Sequence, residues 1–554
     1  MPRRGDIAMT KSANSKTAPR AQTKPAPESH QDTPKPRKTP SNFDFRWIAV
    51  IMFMISALAA AVFLNTEHNA DDTQQLMSGL DIDNSDLKIN WERYPTTDLE
   101  LTEPITITQS GTYHVTGFIY NGGIIVDAGI GEVKLIIDNV IIDNPTGPAI
   151  YCKSAEDLVI ELTGNNSLSD GETYATEYDE DVTGVIYTKS DLIFEGDGAL
   201  TINANYQDAI VGKDDVKFKS GNYTISSIDD AIRGKDSVYI VGGNFTINTG
   251  ADAIKSTNYT DRTKGFILIE SGAFNLSTTI GKGIKATNYI VLSGGKYNLN
   301  TFDDAIHSDN FVSISDGTID IVSGDDGIHA NNKVTIDGGQ VTISKSYEGI
   351  EAQAITINNG NISVIAADDG INAGGGADGS ANNRKGSSPF EVDANCIIAI
   401  NGGKLYVNST GDGIDSNGFL YINGGETRVD GPTDNGNGAL DATGGITMSG
   451  GNLLAVGASG MAEAPTLNST TNSISVYLAS IQPANTKITI TDQSGAIILD
   501  YTASKQFSHF TFGDPMLKIG NTYTIYLNDV EYQTVTQSSV TTTVGRDSNF
   551  QRQR

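Results

Sequence analysis

The sequence contains very little cysteine, which excludes a fold held together by disulfides. Its two cysteines, Cys152 and Cys396, lie far apart in the chain and have no metal-binding spacing. In the repeat architecture argued below they would sit many coils apart, well beyond the ~6 Å Cα separation that a disulfide needs. We therefore expect two buried free thiols. No cluster of His or Cys residues indicates a zinc site.

Basic residues are also scarce, with 38 Lys and Arg against 67 Asp and Glu and a net charge of -29. The deficit is uneven, because residues 1–46 hold ten basic and four acidic residues, whereas residues 47–554 hold 28 and 63. An acidic body of this kind repels nucleic acid and favours cations, or partners that cations can bridge. We expect no nucleic-acid partner.

Aromatic residues make up only 7% of the chain, while glycine occurs 59 times among many Asn, Asp, Thr and Ser residues. This composition is typical of short strands joined by tight turns, and it predicts little helix. The length of 554 residues allows two or three ordinary domains or one long repetitive domain, and a hydrophobic content of 38% allows a real core.

One long apolar run stands out in this polar chain, at residues 47–64. Its length suits a transmembrane helix, and the positive-inside rule places the basic residues 1–46 in the cytoplasm and the acidic body outside. We expect a single-pass membrane protein with an extracellular body. The alternative is a cleaved signal peptide, with Ala59–Ala61 as the small-residue cleavage site and a secreted product.

The remaining chain divides by composition. Residues 1–46 predict a disordered tail, 65–90 a polar linker, and 91–472 a run of short strands that begins with alternating segments such as "ITITQSGTYHVTG". Residues 473–545 read as hairpin strands and predict a small antiparallel β cap, followed by a tail at 546–554.

A period of about 22 residues runs through the central part of the chain. It aligns the isoleucines at positions 210, 232, 254, 284, 306, 328, 350, 371 and 414. Each repeat holds three short apolar-polar stretches. A repeat of this length is too short for a propeller blade, and it does not have the Leu-rich consensus of a leucine-rich repeat. The pattern predicts one coil of a parallel β-helix per repeat. The interval of 30 indicates an insertion near 257–264, and the interval of 43 favours one coil with a loop at 374–394 over two coils.

Two positions of each repeat form what we call the carboxylate ladder. The first column precedes each aligned isoleucine by two residues, and the second column follows it by one. The first column is Asp208, Asp230, Asp252, Lys282, Asp304, Asp326, Glu348, Asp369 and Asp412; the second is Val211, Arg233, Lys255, Lys285, His307, His329, Glu351, Asn372 and Asp415. Asp is a common turn residue, so each acid taken singly has a structural explanation.

The negative charge of the ladder as a whole must be compensated, because like charges ~4.8 Å apart repel by about 3.5 kcal/mol at the effective dielectric of a partly buried surface. The first half carries its own cations, whereas the second half has only His329. Either protons or a cation must neutralise it, and Ca²⁺ suits an exported cluster of carboxylate and amide oxygens. No EF-hand loop is present, and loop residues Asp378, Asn382, Asn383 and Asp393 are further candidates. The predicted metal ligands are Asp325, Asp326, Glu348, Glu351, Asp368, Asp369, Asn372, Asp412 and Asp415.

The motifs "DDGIHA", "GDGIDSNGFLYINGG", "NGALDATGG", "GGNLLAVGASGMAEAP" and "GNTYTIYLNDVEY" resemble a family of exported bacterial carbohydrate-binding proteins with a pectate-lyase-like right-handed parallel β-helix. The resemblance covers roughly residues 80–545 and leaves out the basic tail and the apolar run. It implies bound calcium and affinity for plant cell-wall polysaccharides such as cellulose and polygalacturonate.

Three functions remain open from the sequence. The first is a calcium-stabilised polysaccharide-binding protein, expected to be a monomer, with Tyr259, Tyr289, Tyr297 and Phe302 as sugar-stacking residues or ordinary strand residues. The second is a polysaccharide lyase in which Lys282 or Lys285 acts as the base beside calcium. Both lysines also serve as plain neutralisers of neighbouring acids. The third is a structural adhesin or spacer that binds no glycan.

Overall fold

The computed structural model describes residues 79–374 and 391–545. This part of the chain is an all-β parallel solenoid in which the only helices are two 3₁₀ turns, at Asp86–Lys88 and Trp91–Arg93. The all-β parallel architecture predicted from the repeat is confirmed. No helix in these two ranges is long and apolar enough to cross a membrane, and the predicted anchor at 47–64 lies outside them.

Parallel strands stack into three sheets, and each coil adds a strand to each sheet. Sheet 1 starts at the aligned isoleucines and contains Ile105–Ile107, Ile124–Asp127, Ile150–Ser154, Gly184–Thr188, Asp208–Gly212, Ile232–Gly234, Ile254–Ser256, Ile284–Ala286, Ile306–Ser308, the first parts of Ile328–Ile336 and Ile350–Ile357, then Ile371–Ala373, Ile414–Ser416 and Leu440–Ala442.

Sheets 2 and 3 follow sheet 1 within each coil. Sheet 2 contains Thr96–Leu101, Gly111–Tyr120, Val133–Asn144, Asp157–Thr163, Asp191–Gly196, Asp215–Phe218, Ser237–Ile240, Phe266–Ile269, Tyr289–Leu292, Phe311–Ile314, the second parts of the two long strands of sheet 1, Ile397–Ile400, Phe419–Ile422 and Gly445–Met448. Sheet 3 begins with the second parts of Gly111–Tyr120 and Val133–Asn144 and continues with Asn165–Asp170, Ala199–Ala204, Asn222–Ser227, Asn244–Thr249, Ala273–Thr278, Lys296–Asn300, Thr318–Val322, Gln340–Lys345, Asn361–Ala366, Lys404–Ser409, Glu426–Asp430 and Asn452–Gly457.

The register of sheet 1 follows the sequence period. Ile284 pairs with Ile306, and Ile306 with Ile328, so residues 22 positions apart lie side by side. Ile371 pairs directly with Ile414, which means that the interval of 43 holds a single coil. Equivalent side chains of successive coils therefore lie one strand spacing apart, about 4.8 Å.

The core is filled by the inward side chains of all three sheets, and the aligned isoleucines are fully buried. A row of buried rings from Tyr223, Phe245, Phe274 and Tyr297 stacks with centroids 4.8 to 5.0 Å apart. Tyr297 is 0% exposed, and its hydroxyl donates to the carbonyl oxygen of Gly294. The prediction that Tyr297 stacks on sugar rings is therefore wrong, because a glycan cannot reach either face of this buried ring. Cys152 and Cys396 are both buried and form no disulfide with each other, as expected.

Residues 80–87, inside the predicted linker, pack against the outer face of sheet 2. Leu80, Ile82 and Leu87 contact a cluster that includes Phe266 and partly buried Tyr289. Polar contacts fix the same segment, because the Nζ atom of buried Lys217 donates to the carbonyl oxygen of Asp83 at 2.9 Å.

The C-terminal strands leave the parallel pattern. Phe507–Gly513 runs antiparallel to Asn452–Gly457, the last strand of sheet 3, and also to Ser473–Gln482, which pairs in parallel with Thr541–Val544. A separate antiparallel sheet contains Lys487–Asp492, Ile497–Thr502, Thr522–Leu527 and Val530–Thr536. This separate sheet and the strands around Phe507–Gly513 together enclose a second apolar core.

Candidate metal and carbohydrate site

The first column of the carboxylate ladder is built into the backbone of the solenoid. An Oδ1 atom of Asp208 accepts the N–H of Asp230, whose Oδ1 in turn accepts the N–H of Asp252, each at 3.1 Å. Asp304 accepts the N–H of Asp326 in the same way at 2.9 Å, and Asp369 that of Asp412 at 2.6 Å. One oxygen of each of these acids thus satisfies a backbone donor of the next coil, and in Asp208, Asp230 and Asp304 the second oxygen faces a second-column side chain.

In the first half of the ladder, cations of the second column meet these second oxygens. Arg233 pairs with buried Asp208 at 2.6 Å. Lys255 pairs with Asp230 at 3.0 Å and with Asp252 at 2.8 Å. The internal pairing that the sequence predicts for this half is present.

The two lysines considered as lyase bases belong to the same set of ion pairs. The ammonium of Lys282 lies 2.5 Å from Asp304 and 3.0 Å from Asp303, and Lys285 lies 3.8 Å from Asp252. Burial alone would lower the pKa of Lys282, but the two carboxylates raise it well above its ordinary value. Lys282 is therefore held as an ammonium ion, which suits a neutralising role rather than proton abstraction.

Two buried histidines follow in the second column; burial alone would lower the pKa of each imidazole, but the neighbouring carboxylates raise it. Nδ1 of His307 lies 2.7 Å from Asp304, and its Nε2 lies 3.1 Å from Asp309. Nδ1 of His329 lies 2.9 Å from both Asp326 and Glu351. Burial alone would lower the pKa of His329, yet the hydrogen bonds to these carboxylates raise it to about 11. Two predicted metal ligands, Asp326 and Glu351, are thus compensated by this histidine.

In the next coils the described ladder positions hold no cationic residue, and their acids gather instead. Carboxylate oxygens of Asp369, Asp412 and Asp415 all lie within 4.8 Å of one another. Burial, reinforced by the neighbouring Asp368 carboxylate, raises the pKa of Asp369 to about 6 and that of Asp412 to about 7. Neutralising this cluster requires protons or a cation.

Glu348 and Asn372 connect this cluster to the preceding coil. The Nδ2 of Asn372 donates to Glu348 at 2.8 Å, while its Oδ1 is buried with no hydrogen-bond partner. Burial and the charge of Glu351 raise the pKa of Glu348 to about 9. Three carboxylates in mutual reach and an unpartnered amide oxygen in the adjoining coil are oxygen donors of the kind that Ca²⁺ prefers, so these residues fit the predicted cation.

The other predicted ligands are dispersed. Asp325 groups with Asp303 and Asp304, one coil below Glu348. The Asp368 carboxylate raises the pKa of the nearby Tyr347 hydroxyl to about 12. Asp393 is exposed and accepts the N–H of Asn395 within its own turn, while Asp378, Asn382 and Asn383 lie outside the described residues.

Sequence reasoning missed one member of the ladder. Asp441 pairs in register with Asp415, just as Leu440 pairs with Ile414, and its charge contributes to the raised pKa of Asp369. The segment "ALDA" contains the repeat pattern. It escaped the alignment because leucine replaces the aligned isoleucine there and because the preceding coil is longer than 22 residues. The second column therefore runs as Glu351, Asn372, Asp415 and Asp441 in four consecutive coils.

The remaining sugar-stacking candidates differ in accessibility. Tyr259 is 84% exposed on the loop between Ile254–Ser256 and Phe266–Ile269, and Phe302 is 64% exposed beside Asp303. Tyr289 is partly buried against residues 80–87 and stacks on Phe311 with centroids 5.5 Å apart.

The fold and the site therefore define the structural class of this protein, a parallel β-solenoid of three sheets with an acidic edge. The chain belongs to the family described as carbohydrate-binding domain-containing protein, whose model matches residues 102–349 and 279–386.

Two similar proteins illustrate this relationship. A carbohydrate-binding domain-containing protein of Acetivibrio thermocellus is 34% identical over 174 residues, a match that covers 30% of this chain and 53%, about half, of that protein. A solved structure of the polysaccharide lyase-like protein from C. thermocellum, a gadolinium derivative, is 30% identical with a TM-score of 0.36, covering 44% of this chain and 96% of the other.

Proposed function

We propose that this protein binds polysaccharides on the outside of the cell and that calcium occupies the second half of its carboxylate ladder. The observation that carries the proposal is the cluster of Asp369, Asp412 and Asp415 beside the unpartnered Oδ1 of Asn372. Membership of a carbohydrate-binding family supports the glycan partner. Calcium would neutralise the cluster and could at the same time bridge to the carboxylates of an acidic glycan.

Retention on insoluble glycans tests this function. The chain from residue 79 onward, which contains the entire described solenoid, is applied to calcium-crosslinked polygalacturonate and to cellulose, with calcium or with a chelator. For polygalacturonate the gel is covalently crosslinked in the chelator arm, so that the matrix itself survives. We expect calcium-dependent retention on polygalacturonate. Absence of retention on every glycan would favour a structural spacer, and unsaturated, ultraviolet-absorbing product would favour a lyase.

We also propose that residues 47–64 anchor the protein in the cell membrane with residues 1–46 in the cytoplasm. The supporting observations are the uncharged apolar run and the charge of +6 on the preceding 46 residues, ten basic minus four acidic. Membrane fractionation after alkaline washing checks the anchor, and protease added to intact cells checks the orientation. Release of the body into the medium would instead support a cleaved signal peptide.

For the fold, we propose a right-handed solenoid of about 22 residues per coil whose C-terminal end is covered by residues 473–545. Support for the cover comes from Phe507–Gly513, which pairs with the last strand of sheet 3 and so occupies an edge that would otherwise be open to other chains. A chain that ends at residue 472 should elute as aggregates in size-exclusion chromatography, whereas the longer chain should elute as a monomer.

A further inference from the structure

An exposed apolar stripe runs beside the acidic edge of the solenoid. Its members are 38% to 70% exposed, they lie at the ends of sheet 3 strands or in the turns that lead to the first column, and they are Ile228, Ile280, Phe302, Val322, Tyr347 and Ile365. Large exposed apolar side chains thus recur at one edge of several coils. Exposed apolar side chains that gather on one part of a surface mark an interaction site.

Two aromatic rings of the stripe, Phe302 and Tyr347, are separated by one coil. Gly324 donates its N–H to the carbonyl oxygen of Thr301, and Tyr347 donates its N–H to that of Asp325, which fixes the order of the three coils. The two aromatic residues are therefore two strand spacings apart along the solenoid, about 10 Å. This distance is close to the length of a disaccharide unit in an extended β-1,4-linked chain.

In the coil between the two rings, Gly324 occupies the corresponding turn. A Cβ atom there would come within 1.9 Å of the carbonyl oxygen of Phe302. Only glycine fits this close approach, so this one position presents backbone and no side chain to a ligand.

The surrounding charge decides which glycan fits. Asp303, Asp325 and Asp368 flank the stripe, and they repel a polyuronate but accept hydrogen bonds from neutral sugar hydroxyls. We propose that an extended neutral β-1,4-glycan lies along the solenoid axis with sugar rings stacked on Phe302 and Tyr347. This inference rests on the proposed polysaccharide-binding function and assigns its neutral ligand to a surface separate from the cluster at Asp369, Asp412 and Asp415.

Binding isotherms on microcrystalline cellulose test the assignment. Phe302→Ala and Tyr347→Ala should each weaken binding about tenfold, and the double variant should weaken it further, in calcium and in chelator alike. Phe302→Tyr should retain binding. Tyr120→Ala is the matched control, because Tyr120 is equally exposed and has an aromatic neighbour, Phe118, elsewhere on the solenoid. Melting temperatures of all variants should stay at the parent value, since these side chains lie at the surface.

The outcomes separate this inference from the proposed function. Unchanged cellulose binding by the double variant would overturn the assignment of the stripe. Calcium-dependent retention on polygalacturonate without any binding to cellulose would also overturn it, while the proposed function would stand. Loss of cellulose binding in the double variant with unchanged polygalacturonate retention is the result we expect.

Discussion

The imidazole rings of His307 and His329 lie parallel, with centroids 4.7 Å apart and 11° between their planes. Each ring has acceptors at both nitrogens, because Asp309 and Asn331 face the Nε2 atoms and carboxylates face the Nδ1 atoms. Two stacked imidazolium rings would repel each other, and the carboxylates at both Nδ1 atoms and at the Nε2 atom of His307 offset that repulsion. This pair marks the point at which the ladder passes from internal compensation to an acid surplus.

Replacement of His329 tests that compensation. His329→Gln leaves Asp326 and Glu351 without their shared cation, and we expect the free energy of unfolding at pH 7 to fall by about 3 kcal/mol. Urea unfolding followed by circular dichroism measures the change. His114→Gln is the control, because His114 also pairs with two acids but is partly exposed; its effect should be below about 1 kcal/mol.

The same histidine predicts a pH dependence at alkaline pH. Its pKa is raised to about 11 in the folded state, against about 6.5 in an unfolded chain. A raised folded pKa contributes stability that is complete below the unfolded value and is lost as pH rises through the folded value. The destabilisation caused by His329→Gln should therefore shrink by up to about 1.4 kcal/mol per pH unit above pH 7. Equal effects of the substitution at pH 6 and pH 10 would contradict this account.

Calcium should stabilise the protein in a pH-dependent way. The folded-state pKa values of Glu348, Asp369 and Asp412 are raised to about 9, 6 and 7, so their contribution to stability is lost as pH rises from about 4 towards 9. Calcium binds the ionised carboxylates and thereby restores the lost stability. The melting temperature should rise little on adding calcium at pH 5 and most at pH 8, as measured by calorimetry against a chelator. An equal increment at both pH values would count against a site at these acids.

Removal of single ligands localises the ion. Asp415→Asn and Asn372→Ala should each reduce calcium affinity at least tenfold in titration calorimetry, since each takes away one oxygen donor or one charge. Asp197→Asn serves as the control, because Asp197 is an exposed acid in the first half of the solenoid. If all three variants bind calcium as the parent does, the ion lies elsewhere.

The role of the first column in the backbone gives a further prediction at Asp230. Asp230→Asn keeps an oxygen for the N–H of Asp252, whereas Asp230→Ala leaves that buried donor unpaired. We expect the alanine variant to be about 2 kcal/mol less stable than the asparagine variant. Matching stabilities of the two variants in urea unfolding would show that the acceptor at position 230 does not stabilise the fold.

Much of the fold follows from the sequence, because the 22-residue period fixes the parallel register once one coil is known. Ile371 and Ile414 show this, since their pairing was predicted from a loop rich in Gly and Ser rather than from spacing alone. Tyr297 shows the limit. An aromatic residue between polar neighbours reads equally well as inward or outward, and only the ring stack with Phe274 decides that it is buried.

The site could be predicted only in outline. Sequence placed an acid surplus after His329, but it did not show that Asp326 and Glu351 share that histidine, because which oxygen faces which ring depends on side-chain geometry. The unpartnered oxygen of Asn372 and the backbone role of the first column were equally invisible, since both depend on hydrogen bonds across coils.

The acceptor that each first-column acid provides for the following coil has a consequence for how such proteins change over generations. A duplicated repeat carries the carboxylate acceptor for the backbone N–H of the coil that follows it. Its own backbone N–H is accepted by the carboxylate of the coil that precedes it. Whole coils can therefore be gained or lost by recombination between repeats without compensating substitutions. Insertion of a second copy of residues 230–251 would test whether this solenoid lengthens in this manner.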